Sequence, residues 1–235
     1  MFGRCDMWDG KKKAITFSFD DGTLQDVRLV EILNKYSLKA TFNICSALLD
    51  SPNSIRRYGK EIDHSKVAPN DVRSIYAGHE VAVHTLTHPW LNRLDDDGVV
   101  REIEEDRKKL SELCGYEVVG MAYPFGVYDE RILKLIRENT GIKYSRTIKD
   151  THSFEIPKCE ELLSWHPSVY YIDKEFEAVV DRFLALESDE PQLLYIWGHS
   201  FELDSDISDA EFERICKKLS NRADIFYGTN REVLK

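Results

Sequence analysis

Acidic residues stand where the first apolar segment of this chain ends. Residues 14–19 are followed by Asp20, Asp21 and Gly22. Successive residues of a strand point to opposite sides, so the two carboxylates are expected to have different tasks, one binding a metal ion and one acting as a base, unless the chain turns between them. The alternative is a simple turn in which Asp21 caps the following helix.

A second polar cluster, residues 84–88, reads His-Thr-Leu-Thr-His and follows an alternating apolar segment. Imidazoles four residues apart fit one face of a helical turn, or a loop folded around one ion. Two neutral histidines and a carboxylate are a usual ligand set for zinc and similar divalent ions, and three protein ligands leave positions open for water and substrate. The alternative is a pair of loop histidines held by ordinary hydrogen bonds.

His199 follows a third apolar segment, residues 193–197. A histidine that does not bind metal is a suitable general acid for a leaving group, because its ordinary pKa near 6.5 moves easily to the working pH. A purely structural histidine is the alternative at this position.

Short β-rich segments alternate with helical patterns along the whole chain. This alternation predicts a parallel sheet with helices outside it, and six or seven such units favour closure into a barrel. Functional residues of such folds gather at the carboxyl ends of the strands, where the polar residues above are found. The predicted strands are 14–19, 40–45, 80–84, 118–122, 143–147, 193–197 and 224–227, and the predicted helices are 26–36, 70–77, 95–113, 129–139, 174–187 and 209–219.

Composition narrows the class of protein. A chain of 235 residues, 42% of them hydrophobic, can form one domain spanning residues 1–235 with a sizeable core. The formal charge of −10, with no basic run longer than residues 11–13, argues against a nucleic-acid partner. We find neither a membrane-spanning segment nor the apolar core of a signal peptide, so the protein as written is expected to be cytoplasmic. Five scattered cysteines without a CxxC pair indicate neither a disulfide framework nor a thiolate zinc site.

Taken in order, four segments resemble the motifs of the polysaccharide deacetylase superfamily, which shares the NodB homology domain and is also called carbohydrate esterase family 4. They are Ser-Phe-Asp-Asp-Gly (18–22), His-Thr-Leu-Thr-His (84–88), Ala-Tyr-Pro-Phe-Gly (122–126) and Leu-Tyr-Ile-Trp-Gly-His (194–199), and the resemblance extends over about residues 14–227. It implies a single-domain α/β fold, a distorted (β/α) barrel, and a divalent ion, zinc in the first place with cobalt or nickel as alternatives. It also implies that Asp20 is the catalytic base, Asp21, His84 and His88 are metal ligands, and His199 is the catalytic acid.

The chain departs from the family pattern at two places. Ala122 stands where the third motif commonly starts with an arginine that contacts the catalytic aspartate. Arg146 follows another β-like segment, and we expect it to take over this contact and to hold down the pKa of Asp20. The fourth motif, normally Asp-rich with a tryptophan, is not clean, and Trp165 is its nearest candidate, although a core tryptophan fits equally well.

The resemblance implies a metal-dependent hydrolase that removes acetyl groups from N- or O-acetylated carbohydrate, and the residue types above fit that chemistry. A backbone N–H near Tyr123 to Gly126 is expected to hold the oxyanion, with Pro124 and Gly126 shaping the loop. Phe125, Trp165 and Trp197 could form an apolar wall or stack on a sugar, with core packing as the alternative.

Two other functions stay open. The first is hydrolysis of a small non-carbohydrate amide by an enzyme of the same superfamily, which a deep enclosed site beneath the loop-rich insert 46–69 would favour. The second is a catalytically inactive sugar-binding homologue, for which Ala122 is the main support. The sugar, the bond type, the native metal and the oligomeric state are open as well.

Overall fold

The computed structural model describes residues 7–234, and its core is an all-parallel sheet surrounded by helices. The regular elements in chain order are β1 (Lys13–Asp20), α1 (Asp26–Lys35), β2 (Ala40–Ile44), β3 (Ser54–Arg57), β4 (Lys60–Asp63), α2 (Val72–Ile75), β5 (Glu80–Val83), α3 (Asp96–Cys114), β6 (Gly120–Ala122), α4 (Glu130–Asn139), β7 (Tyr144–Arg146), β8 (Val169–Tyr170), α5 (Phe176–Ala185), β9 (Gln192–His199), α6 (Asp209–Leu219), β10 (Ile225–Tyr227) and α7 (Asn230–Val233).

Strand β1 lies in the middle of the sheet and is buried along its whole length. Its odd-numbered residues Ile15, Phe17 and Phe19 belong to the main hydrophobic cluster, which packs against the helices. Alternation turns the even-numbered residues to the opposite side, so that Asp20 lies on the inner side of the sheet. A strand that is covered on both faces is typical of a parallel sheet inside a ring of helices.

The sheet runs in the order β7, β6, β5, β2, β1, β9, β8, and β10 pairs with the start of β1. Residues 165–170 bring its two edges together. Trp165 forms a parallel bridge with Arg146 of β7, and Val169 and Tyr170 pair with β9 a few residues later. The barrel therefore closes through an irregular segment and not through a regular strand pair, and the predicted distorted (β/α) barrel is confirmed.

Helix ends carry the capping residues that the sequence places there. Asp95 accepts a hydrogen bond from the Gly98 N–H at the start of α3, and Gly115 ends this helix with a φ of 74°. Ser208 and Glu211 form a capping box at the start of α6. Within residues 7–234, no helix combines the length and the apolar character that crossing a bilayer requires.

The insert 46–69 differs from the loop-rich segment that we expected. It contains an antiparallel hairpin of β3 and β4, because Tyr58 and Gly59 adopt φ values of 49° and 78° and thereby form a tight two-residue turn. Its residues are mostly exposed and polar, so hydrophobic periodicity gave no sign of it. Cys45, Cys114, Cys159 and Cys216 are free thiols, and Cys5 lies outside the described residues.

Candidate active site

Asp20 and Asp21 both face the carboxyl end of the barrel because the chain turns between them. Asp21 has a φ of 84° and Gly22 a φ of 64°, so the backbone leaves the strand conformation directly after Asp20. A Cβ at Gly22 would lie 2.8 Å from the Ile44 side chain, so only glycine fits there. Gln25, and not Asp21, is the N-cap residue of α1, which excludes the simple capping role.

His84 and His88 lie on the loop that follows β5, and the structure brings both close to Asp21. The Nδ1 atom of His84 lies 2.9 Å from the carbonyl oxygen of Ala122. Because a carbonyl only accepts, Nδ1 donates this hydrogen bond, and Nε2 is the nitrogen of His84 that remains to bind a metal ion. The Nε2 atoms of His84 and His88 lie 3.8 Å and 3.7 Å from Oδ1 of Asp21.

The three residues fit a divalent ion. All three ligand atoms lie within 4.8 Å of one another, and the separations of 3.8 and 3.7 Å from Oδ1 of Asp21 are close to the ~3.5 Å expected between two atoms bound at about 2.0–2.2 Å to one tetrahedral ion. Burial, with His84 nearby, lowers the pKa of His88 to about 4, so its ring is neutral. Burial opposes ionisation of Asp21, but His64 and Lys66 hold its pKa well below the ordinary value. Neutral imidazoles and an ionised carboxylate are the forms that bind metal.

Two buried acids on α3 hold the histidine loop in shape. Glu102 accepts hydrogen bonds from the backbone N–H and the hydroxyl of Thr87, at 2.8 and 2.9 Å. One turn further, Asp106 accepts from the N–H of Ser46 at 2.7 Å and from that of His84 at 3.3 Å. The sequence analysis missed both acids, although they interrupt the apolar face of α3 formed by neighbours such as Val99, Ile103 and Leu110. Acids on the buried face of a helix indicate a polar partner.

Arg146 on β7 donates a hydrogen bond to Oδ2 of Asp20. Asn43 donates to Oδ1 at 2.8 Å, so each oxygen of this buried carboxylate has a donor. The guanidinium also donates to the carbonyl of Thr147 at 2.9 Å and lies 4.7 Å from the ring centre of Trp197. Burial by itself would raise the pKa of Asp20, but the positive charge of Arg146, together with neighbouring histidines, lowers it. Asp20 is therefore ionised and held in one orientation.

His199 ends β9, and Glu202 holds its ring. The Nδ1 atom of His199 lies 3.0 Å from Oε1 of Glu202, whose other oxygen accepts from the backbone N–H of His199 at 3.0 Å. Tyr170 also donates to Oε1, and Arg57 lies 3.7 Å away. These contacts leave Nε2 of His199 for substrate. The sequence analysis missed Glu202, although the spacing His-x-x-Glu directly after a strand was a usable signal.

The Tyr123–Gly126 segment offers one N–H for an oxyanion. Tyr123 donates its N–H to the carbonyl of Arg146 and Gly126 to that of Tyr123, at 3.1 and 2.9 Å. Pro124 has no N–H, so Phe125 carries the one N–H of this segment that makes no hydrogen bond within residues 7–234. The fully buried Tyr123 side chain donates its hydroxyl to Leu163 at 2.7 Å and belongs to the core.

The two tryptophans do not form the expected wall against substrate. Trp165 is 3% exposed and packs with Tyr195 in the second hydrophobic cluster, so the sugar-contacting role is wrong and the core alternative applies. Trp197 is 7% exposed, stacks on Tyr170 at 4.5 Å and contacts Arg146. The Trp197 ring is therefore buried between neighbours of the site, and little of its surface is left for a sugar. Phe125, in contrast, is exposed.

His64 is a fourth histidine at this site, and the sequence analysis did not consider it. It directly follows β4 of the hairpin, and its Nε2 atom lies 3.0 Å from Oδ2 of Asp21. The 43 residues that separate it from Asp21 in sequence offer no motif or periodic pattern that would connect them.

Comparison with known proteins finds deacetylases among the relatives of this chain. It is 25% identical over 146 residues to the peptidoglycan-N-acetylglucosamine deacetylase PgdA of Listeria monocytogenes, a match that covers 61% of this chain and 27% of that protein. The chain spans half or less of the length of the curated relatives it matches.

Solved structures share the fold at low identity. The carbohydrate esterase family 4 domain of a multidomain xylanase, from the hindgut metagenome of Trinervitermes trinervoides, superposes with a TM-score of 0.61 at 18% identity, covering 95% of this chain and 90% of that one. A pseudoenzyme of the same family from Bacillus anthracis gives 0.56 at 15% identity, covering 96% and 66%. At the level of sequence, residues 8–145 match the model of the family described as polysaccharide deacetylase, which is more than half of the chain. The chain therefore belongs to the polysaccharide deacetylase family.

Proposed function

We propose that this protein is a metal-dependent hydrolase that removes acetyl groups from N- or O-acetylated carbohydrate. The observation that carries the proposal is the division of labour between the adjacent carboxylates at the end of β1. Asp21 faces the two imidazoles that complete a metal-ligand set, whereas Asp20 is held by Arg146 and Asn43. A site with one carboxylate for the ion and one for a proton fits hydrolysis through an activated water.

Asp21, His84 and His88 would hold the ion, with zinc as the first candidate and cobalt or nickel as alternatives. When bound, the ion would supply polarisation of the acetyl carbonyl and a lower pKa for an attacking water. Asp20 then accepts the proton of that water, and Arg146 keeps its carboxylate ionised and oriented for the transfer. The Phe125 N–H is the chain's own donor to the developing oxyanion.

His199 gives a proton to the departing amine or alcohol. Burial lowers the pKa of His199 and raises the pKa of Glu202, so the pair favours a net charge of zero. A neutral pair can still present a proton on Nε2, provided that the second proton is shared between Nδ1 of His199 and Oε1 of Glu202. Glu202 thus allows His199 to act as an acid without a buried net charge in the resting site.

Carbohydrate is favoured over a small amide by the surface next to the ligand set. Phe125 packs at 4.6 Å against the ring of His88 and stacks on Trp90 at 4.3 Å, and these two aromatic residues are 43% and 40% exposed. Exposed aromatic edges beside a hydrolytic site fit the apolar faces of sugar rings. The name of the Listeria relative indicates N-acetylglucosamine in a polymer, which we take as the first substrate class to test.

An inactive sugar-binding protein is the second candidate, favoured by Ala122 and by the shared fold of the Bacillus anthracis pseudoenzyme. Release of acetate from acetylated chitooligosaccharides or acetylated xylan separates the two. We expect release that is lost on chelation, restored by zinc, cobalt or nickel, and abolished in Asp20→Asn, with exposed Asp96→Asn as a matched control that keeps full activity. Sugar binding without acetate release under every metal would refute the enzyme and establish the binding protein.

A further inference from the structure

The hairpin of β3 and β4 ends in His64, which the proposed mechanism does not use. Nε2 of this histidine lies 3.0 Å from Oδ2 of Asp21, and the side chain is 12% exposed. The ring packs edge-on against Phe201 at a centroid distance of 5.1 Å. Its orientation is therefore fixed by a neighbour that belongs to the loop after His199.

Neighbouring donors determine the tautomer of His64. The ammonium group of Lys66 and the amide nitrogen of Asn53 each lie 3.4 Å from Nδ1. An ammonium group has only donors, so Nδ1 accepts and the ring proton lies on Nε2. The contact with Asp21 is then a hydrogen bond from N–H to carboxylate, with His64 as the donor.

This hydrogen bond divides the two oxygens of Asp21 between two tasks. Oδ2 accepts from His64, whereas Oδ1 lies 3.8 and 3.7 Å from the Nε2 atoms of His84 and His88. A carboxylate without such a partner can rotate about its last bond or present both oxygens to one ion. The donor on Oδ2 leaves Oδ1 as the oxygen that faces the ligand set.

We propose that His64 is a positioning residue that orients Asp21 to bind the metal ion through Oδ1 alone. The inference rests on the proposed function, since it requires an ion at this site. His64 is not itself a ligand, because its Nε2 is committed as a donor and because the cluster whose atoms lie within 4.8 Å of one another consists of Asp21, His84 and His88. Through Phe201, the hairpin thereby connects the metal site to the segment that follows His199.

Zinc affinity of the metal-free protein tests this role without any substrate. Titration with zinc chloride against a chromophoric chelator should give a dissociation constant about 10–100-fold weaker for His64→Leu, as expected for loss of a partner that orients a ligand. His64→Gln keeps an N–H donor near the position of Nε2 and should recover most of the loss. Arg56→Gln, an exposed change on the same hairpin, should bind zinc as the parent protein does. Equal thermal unfolding of the metal-free variants shows that the hairpin change leaves the fold intact.

The zinc affinities and the ligand count decide whether His64 positions Asp21. Unchanged zinc affinity in His64→Leu overturns the positioning role while leaving the proposed hydrolase untouched, and so does a Gln variant no better than Leu. X-ray absorption of the zinc-loaded parent protein should count two imidazole ligands, and a count of three would make His64 a ligand instead. A parent protein that binds no zinc, cobalt or nickel overturns both this inference and the proposed function.

Discussion

Replacing Arg146 with alanine is expected to reduce turnover far more than it reduces metal affinity. The guanidinium and the carboxylate of Asp20 are both buried, with side chains 0% and 3% exposed. Arg146 makes no contact with Asp21, His84 or His88 in the hydrogen bonds and ion pairs described within residues 7–234. The change therefore affects the proton acceptor and leaves the metal ligands in place.

The expected size of the effect follows from the burial of the pair. Removing one partner of a buried ion pair costs about 3–5 kcal/mol, because the other charge is left uncompensated. If about 3 kcal/mol of this cost falls on the base in the transition state, kcat/KM decreases on the order of 100-fold. The same cost should lower Tm by roughly 6–20 °C, given a shift of ~2–4 °C per kcal/mol for a chain of this size.

The assay compares acetate release and zinc affinity in three variants at a temperature below every melting point. Arg146→Ala should lose turnover on the order of 100-fold with zinc affinity close to that of the parent. Arg146→Lys keeps a charge but not the contact with Thr147, so its turnover should lie between that of the parent and that of Arg146→Ala. Arg131→Ala, which removes a solvent-exposed ion pair with Asp96, is the matched control and should change neither quantity. Turnover of Arg146→Ala within a few-fold of the parent, or zinc affinity that falls as much as turnover, would refute the reasoning.

Two further predictions concern other buried groups. Glu202→Gln should lower kcat by about 10–100-fold. Because Glu202 acts through the ring of His199, the same substitution should cause no further loss of kcat in His199→Ala. An additive loss in the double mutant would contradict this. Burial is the main cause that lowers the pKa of His79 to about 4, below its unfolded value of 6.5. The contribution of neutral His79 to the free energy of unfolding is therefore complete above pH 6.5 and is lost as the pH falls towards 4. At about pH 5 the loss is roughly 2 kcal/mol. Urea unfolding at about pH 7.5 and 5 measures the free energy of unfolding of both proteins. Between these pH values it should fall by this additional amount in the parent and not in His79→Gln, and an equal fall in both proteins would count against the prediction.

Local sequence predicted the parts of the site that lie at strand ends. Asp20, His84 and His199 became candidates because each follows an apolar segment, and a parallel fold brings such positions to one edge. His64 could not be placed, because only tertiary packing of the hairpin brings it to Asp21. The sequence left two roles open for Trp165, because an aromatic residue near a motif gives the same pattern whether it contacts substrate or fills the core.

The contact between Arg146 and Asp20 depends on the curvature of the sheet and not on a local motif. Strands β7 and β1 are four places apart in the strand order, which in a flat sheet would separate them by about 19 Å. A direct hydrogen bond is possible because closure through residues 165–170 turns both strands to face a common interior.

Ala122 and Arg146 are register partners on neighbouring strands. An arginine on either strand therefore lies at the same height in the barrel and can reach inward to Asp20. What the chemistry requires is an inward-facing cation in the layer of Asp20, and β7 can supply it as well as β6. Because β7 carries Arg146 at the paired position, Ala122 by itself is weak support for an inactive site.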